Sequence, residues 1–366
     1  MKIQVDKKAL AGALSLVARA VEKRTTIPIL THLLIRVRDG ALQFTATDLN
    51  VAIVTAIPAE RFLIHSTEDC PAEFCVPATR LLNYISSLPD GDVTLTADEN
   101  FHVTVTAGKS RTRIPGQSTE SFPVLPAAPA GGDPIATNAL LGMLRRTSFA
   151  ISQEESRFTL NGVLFKRSAD QVEIVATDGH QLVWAREIMP GEPTQFILPT
   201  PAIKALPALM GDRVHVAQDE NHLFFTADNA TLICRKLAGN FPDYERALPR
   251  GELNRVMIGR AEFGAAVRRV AQFADERSHA VKLTFSPTGL DISASSVDFG
   301  ESSDTVSATG APDLEVSFNA DYLAEFCGVA DVEAVEFHIR DAKSSAELRP
   351  AGSDNYRYVV MPMRIG

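Results

Sequence analysis

The 366-residue sequence has no apolar run approaching the ~18 residues that a membrane-crossing helix needs. Its opening residues, Met-Lys-Ile-Gln-Val-Asp-Lys-Lys, hold no apolar signal core. A cytoplasmic chain without a membrane partner is the expectation. Cysteine is scarce, with Cys70, Cys75, Cys234 and Cys327 only. The spacing of the first two fits neither a zinc knuckle nor a redox pair, so reduced thiols are expected. The eight histidines never fall at a metal-ligand spacing, and no metal is expected. P-loop, dinucleotide fingerprint and nucleophile elbow are all missing, so the sequence points to no cofactor and no catalytic residue. Asp178 and His180 could form an acid–base pair, but no nucleophile or third orienting group accompanies them. They read as a turn aspartate and a surface histidine. Asp98-Glu99 and Asp219-Glu220 read as solubilising turn tips.

What is present is globular: 45% hydrophobic and 22% charged residues, in a length that suits about two to three domains. The organising stretch is 172–190. Val172, Ile174 and Ala176 alternate with polar neighbours, Asp178-Gly179 signals a turn, and Leu182 and Trp184 open a second strand. Residues 42–57 say the same, with Asp48 at the turn, and 290–308 give a degraded copy around Asp298. Amphipathic helices are expected at 7–20, 137–151 and 261–273, on stripes such as Leu10, Leu14 and Val17. Shorter helices are expected at 78–87, 200–209 and 320–327, with Pro77 and Pro199 suited to helix starts. The tripeptide Asp98-Glu99-Asn100 returns as Asp219-Glu220-Asn221 before a closing strand. Four features in one order, three times over, indicate triplication. The linkers are 123–134 and 249–254. The fold class is α+β, with three repeated domains at 1–122, 129–249 and 254–366.

The net charge of −9 argues against a nucleic-acid binder only as a sum. The first helices and their exits hold Lys7, Lys8, Arg19, Lys23, Arg24, Arg145, Arg146, Arg157, Arg260, Arg268, Arg269 and Arg277, and the second helices add Arg80 and Lys204. Basic helices on an acidic body attract phosphate without reading bases. Solvated helix faces explain the same residues, since Glu22, Glu154, Glu155 and Glu262 lie nearby. Charge alone leaves both open.

Thr26-Ile27-Pro28-Ile29-Leu30, Ala176-Thr177-Asp178-Gly179-His180, Asn240-Phe241-Pro242-Asp243-Tyr244 and Tyr358-Val359-Val360-Met361-Pro362-Met363-Arg364-Ile365 resemble the bacterial DNA polymerase III β subunit, the sliding clamp. The resemblance runs end to end. It implies three clamp domains per chain, a head-to-tail homodimer ring with helices lining the hole and sheets outside, and no catalysis. It further implies double-stranded DNA as a partner, a separate clamp loader, and a replicative DNA polymerase held through short linear peptides. Carried over, the peptide pocket is Arg157, Leu160, Thr177, Gly179, His180, Leu182, Pro242, Arg246, Ala247, Ser345, Val359, Val360, Met361, Pro362, Met363 and Arg364. Two flexible methionines suit a wall that moulds to several partners. The DNA-facing set is Arg24, Arg80, Arg145, Arg146, Lys204, Arg268 and Arg269, and the dimer seam sets Thr112 and Ile114 opposite Gln272 and Phe273. Departures from the family pattern are Gln181 for arginine, Ala247 for a larger aliphatic residue, Glu154 for a neutral side chain and Thr112 for an aromatic one. The rival readings are a DNA-modifying enzyme using Asp178 and His180, and a divergent peptide-binding scaffold that never encircles DNA.

Overall fold

A computed structural model of the chain describes residues 1–22, 25–65, 71–209 and 211–364. In it the repeated motifs fold alike because the same atoms make the same bonds. Asp98 Oδ1 accepts the backbone N–H groups of Asn100 at 3.0 Å and His102 at 2.9 Å. Asp219 Oδ1 accepts those of Asn221 at 2.8 Å and His222 at 2.6 Å. Each aspartate closes its own turn, and a strand follows, Val103–Ala107 or His222–Ala227. The Thr-Asp turns agree equally well. Thr47 Oγ1 donates to Val51 O, and Asp48 Oδ1 accepts from the N–H groups of Asn50 and Val51. Thr177 Oγ1 donates to Gln181 O, and Asp178 Oδ1 accepts from those of His180 and Gln181. In the third copy a weaker bond, from Asp298 N–H to Ser296 Oγ, stands in.

Six α-helices occur among the described residues: α1 Lys7–Val17, α2 Ala78–Ser87, α3 Thr137–Thr147, α4 Thr200–Ala205, α5 Arg260–Val270 and α6 Ala320–Val329. α1, α3 and α5 each tighten into a three-residue 3₁₀ turn, Ala18–Ala20, Ser148–Ala150 and Ala271–Phe273, which accounts for the longer helical stretches expected from periodicity. Pro77 takes the cap position just before α2 rather than its first turn. α1 is capped by Asp6 and α6 by Asn319.

The chain divides into two compact units, Met1–Asn138 with Pro201–Lys236, and Ala139–Thr200 with Leu237–Gly366. The division cuts through the middle repeat because the sheets cross repeat boundaries. In the first unit an eight-stranded sheet joins the hairpin strand Val51–Ile57 of the first repeat to Ala230–Arg235 of the middle one, with Val51 opposite Cys234. In the second a nine-stranded sheet joins Gln181–Ile188 to Tyr356–Val360, with Gln181 opposite Val360. Each unit also holds a smaller sheet. The five-stranded one ends in the edge strand Ser110–Ile114, and the four-stranded one in the edge strand Gly300–Val306.

The second unit is cored by aromatic rings. Phe337 meets Phe263, Phe285 and Phe318 at centroid distances of 6.4, 5.3 and 5.7 Å, and Phe326 stacks on Tyr358 at 5.0 Å. Each fully buried ring is worth about 1.5–3 kcal/mol in area alone. On the same sheet Glu347 is buried and receives Arg357 through Nε at 2.5 Å and Nη2 at 2.7 Å, and Arg349 through Nε at 2.5 Å. Burial pushes the Glu347 carboxyl up; the bonds and charges of Arg357 and Arg349 outweigh this and hold its pKa below the usual glutamate value. A lowered carboxyl stabilises the fold above its unfolded pKa. That stability is therefore lost as pH falls from the ordinary ~4.3 toward the lower folded value. Glu347→Gln should cost about 2–3 kcal/mol in denaturant unfolding, less than the ~3–5 of a fully buried pair, because both guanidiniums keep some surface in water. It should also flatten the acid limb of the stability curve; an unchanged limb would contradict the assignment.

Candidate functional site

The site begins at the Thr177–Gln181 turn. Gly179 has φ +93°, a left-handed conformation that side chains resist, and a Cβ there would stand 2.7 Å from Arg157 Nη1. Arg157 occupies that space, donating from Nη1 to Asp178 O at 2.6 Å and pairing through Nε with Glu154 at 2.9 Å. Glu154, a departure noted in the sequence, is thus the partner that orients Arg157. The Asp178 carboxylate accepts from the turn's own N–H groups and from Gln181 Nε2 at 3.0 Å.

Gln181, the other departure beside the turn, is a buried bridge. Its Oε1 accepts from Tyr358 Oη at 2.8 Å, and Tyr358 Oη also reaches Tyr322 O at 3.0 Å. Burial raises the Tyr358 phenol well above its ordinary range, and burial with the nearby Asp178 carboxylate pushes Tyr322 up to about 12. Both therefore remain donors at neutral pH. The network ties the turn to α6.

The chain's last described segment passes beside this turn. Met361 N–H donates to His180 O at 3.0 Å, and Met363 N–H donates to Ser317 O at 2.7 Å, so the tail spans from the nine-stranded sheet to the four-stranded one. Side chains alternate along it. Tyr356, Tyr358 and Val360 are buried; Val359 points the other way and joins Leu182, Trp184, Leu164, Val175 and Tyr244, with Phe241 and Leu248 packed against them. Tyr244 Oη donates to Glu173 at 2.7 Å and fixes the 240–249 segment over this face.

The expected pocket residues therefore sort by depth. Leu160, Thr177, Leu182, Val359 and Val360 are buried and form its base, so they are less open than a wall of exposed apolar side chains would be. Gly179, His180, Pro242, Arg246, Ala247, Met361 and Arg364 are exposed at the lip, and Arg157, Ser345, Pro362 and Met363 are half-buried between. Arg246 is paired with Asp243 at 2.8 Å. Met363 and Arg364 also border a groove of about 1070 Å³ on one face of the four-stranded sheet, lined by Ser293, Ser303 and Ser317. Sequence reasoning missed Phe158. It is 56% exposed, and its ring lies within contact distance of a Cβ at Gly239. An aromatic ring between Arg157 and Leu160 carries no periodic signal that would mark it as exposed.

Of the basic residues, Arg80 and Lys204 are exposed in the first unit, and Arg145, Arg268 and Arg269 in the second. Arg24 lies outside the described residues. Arg146 is half-buried, bonded to Glu187 at 2.6 Å and set over the Tyr356 ring at 5.6 Å; Arg269 pairs with Asp304. At the expected seam, Gln272 is exposed, and Phe273 and Thr112 are half-buried. Ile114 is only 6% exposed, because the end of its strand turns inward opposite Val103. It is a residue of the chain's own core.

A tight turn hydrogen-bonded to the chain's last described segment, on a body of repeated α+β domains, is the frame of the candidate site. The chain matches the models of the DNA polymerase III beta subunit for its N-terminal domain over residues 1–126, its central domain over 134–243 and its C-terminal domain over 245–364. It is 33% identical to the beta sliding clamp of Pseudomonas putida and 32% to that of Caulobacter vibrioides, each match covering all of both chains. The crystal structure of the beta subunit from Pseudomonas aeruginosa matches with a TM-score of 0.91 at 33% identity, and a Bacillus subtilis sliding clamp with 0.93 at 25%, again over both full lengths. The chain belongs to the DNA polymerase III beta subunit family and has its three-domain sliding clamp fold.

Gly179→Ala should lower stability by about 1–2 kcal/mol, the cost of a side chain in the left-handed region. It should also displace Arg157, which unfolding curves and the backbone amide shift of Asp178 would report. A neutral substitution with an unmoved Asp178 signal would contradict the close approach.

Proposed function

We propose that this chain is a non-catalytic, cytoplasmic DNA sliding clamp. It closes head to tail with a second copy into a ring around duplex DNA, and holds the replicative DNA polymerase and the clamp loader through peptides seated between the Thr177–Leu182 turn and the Val359–Arg364 tail. The observation that carries this is the full-length match to beta sliding clamps, supported by the Thr177–Leu182 turn lying hydrogen-bonded beside the Val359–Arg364 tail. A sliding clamp from Pseudomonas aeruginosa, 32% identical, has been solved bound to griselimycin, which supports a ligand-accepting surface in this family.

Closure is favoured by two free sheet edges of opposite charge. The edge strand Ser110–Ile114 carries exposed Arg111 and Arg113, and Gly300–Val306 carries Glu301 and Asp304. A bare edge seeks a partner, and a heterologous contact that closes yields a ring. The proposed seam joins these strands, with Thr112, Gln272 and Phe273 beside them and Ile114 beneath.

Loaded onto nicked circular DNA, the protein should remain bound, and it should run off once the circle is linearised. Retention on both forms would contradict encirclement and favour a scaffold that never surrounds DNA.

A short peptide carrying glutamine, leucine and phenylalanine should bind with micromolar affinity, about −8 kcal/mol. Ending the chain at Val360 removes both tail tethers while leaving the buried strand intact, and should abolish the calorimetric signal. Unchanged affinity would place the pocket elsewhere.

A further inference from the structure

The cations expected to meet DNA are not equivalent. Arg146 and Arg269 are engaged by Glu187 and Asp304. In the first unit the situation is reversed. Arg19, on the 3₁₀ turn that ends α1, and Lys204, in the last turn of α4, line one cleft of about 440 Å³. The rest of its wall is small or apolar, including Ser15, Ala18, Val21 and Pro201. Among the described residues none of its lining is a carboxylate, in a chain with 45 acidic residues against 36 basic ones. Both cations are exposed, and no ion pair or hydrogen bond engages either side chain among the described residues. Two like charges held in one apolar-walled cleft repel each other, and an anion between them would relieve this.

We propose that Arg19 and Lys204 seat a single phosphate of the DNA backbone. The guanidinium supplies a planar fork to two phosphate oxygens, and the ammonium supplies a point charge from the same cleft. The contact carries no base information, so it suits sliding. The two residues lie far apart in sequence, so helical charge pattern alone could not pair them. This inference rests on the sliding-clamp reading.

The test is binding of the intact protein to a duplex oligonucleotide, followed by fluorescence anisotropy across a salt series. Each neutralised phosphate contributes about 0.9 to the slope of log affinity against log salt. Arg19→Ala and Lys204→Ala should each weaken binding, and the double variant should lower the slope by about one unit. Both residues are exposed, so folding is not at stake. An unchanged slope in the double variant, with the wild type still salt-dependent, overturns the seat and spares the clamp. A fall of about two units, with additive losses, means two separate contacts and also overturns it. Salt-independent binding by the wild type would sink the clamp reading itself. Saturable binding of inorganic phosphate alone, lost in the variants while the duplex slope holds, would overturn the proposal in favour of a small-anion site.

Discussion

The structure depends on one constraint: every sheet strand must place its backbone donors and acceptors somewhere. Each repeat ends in a strand that cannot be satisfied by its own repeat alone. Ala230–Arg235 therefore pairs with Val51–Ile57, and Tyr356–Val360 with Gln181–Ile188. This pairing divides the middle repeat between two compact units. It also sets the candidate site, because pairing Gln181 with Val360 is what brings the chain's tail beside the Thr177–Gln181 turn. Among the sheet edges of the described residues, Ser110–Ile114 and Gly300–Val306 are two that carry side chains of opposite charge.

Much of this was legible in the sequence. The Thr-Asp turns at 47–48 and 177–178 were visible because their residues act locally, each side chain bonding backbone two to four positions away. The helices were visible through their apolar stripes. Strand partners were not. A period of two says which face is buried, and nothing about which strand lies alongside. Ile114 was placed at the seam by the family resemblance, which does not show that the chain also buries it itself. The site residues were named through family motifs, while their depth was hidden. Leu182 and Val360 are buried because the 240–249 segment and α6 cover the two faces of their sheet, a fact of tertiary packing.

Charge was the least legible feature. A list of arginines does not show that Glu187 holds Arg146, or that Arg19 and Lys204 share a cleft without a carboxylate among its described lining residues. Nor does it show that Glu154 and Gln181, which depart from the family pattern, are structural members of the site, one orienting Arg157 and the other linking Asp178 to Tyr358. Substitution at such positions changes the support of the groove as much as its surface.

The central claim is that oppositely charged edges on different copies close a head-to-tail ring. Sedimentation velocity on charge-reversed chains tests it most directly. Arg111→Glu and Glu301→Arg, each alone, should shift the protein toward monomer, since each places like charges across both seams. Mixed in equal amounts, the two variants should recover the dimer, because one seam then carries the reversed pair and the other the native pair. A mixture that stays monomeric, or single variants as dimeric as the parent chain, would contradict closure through these edges.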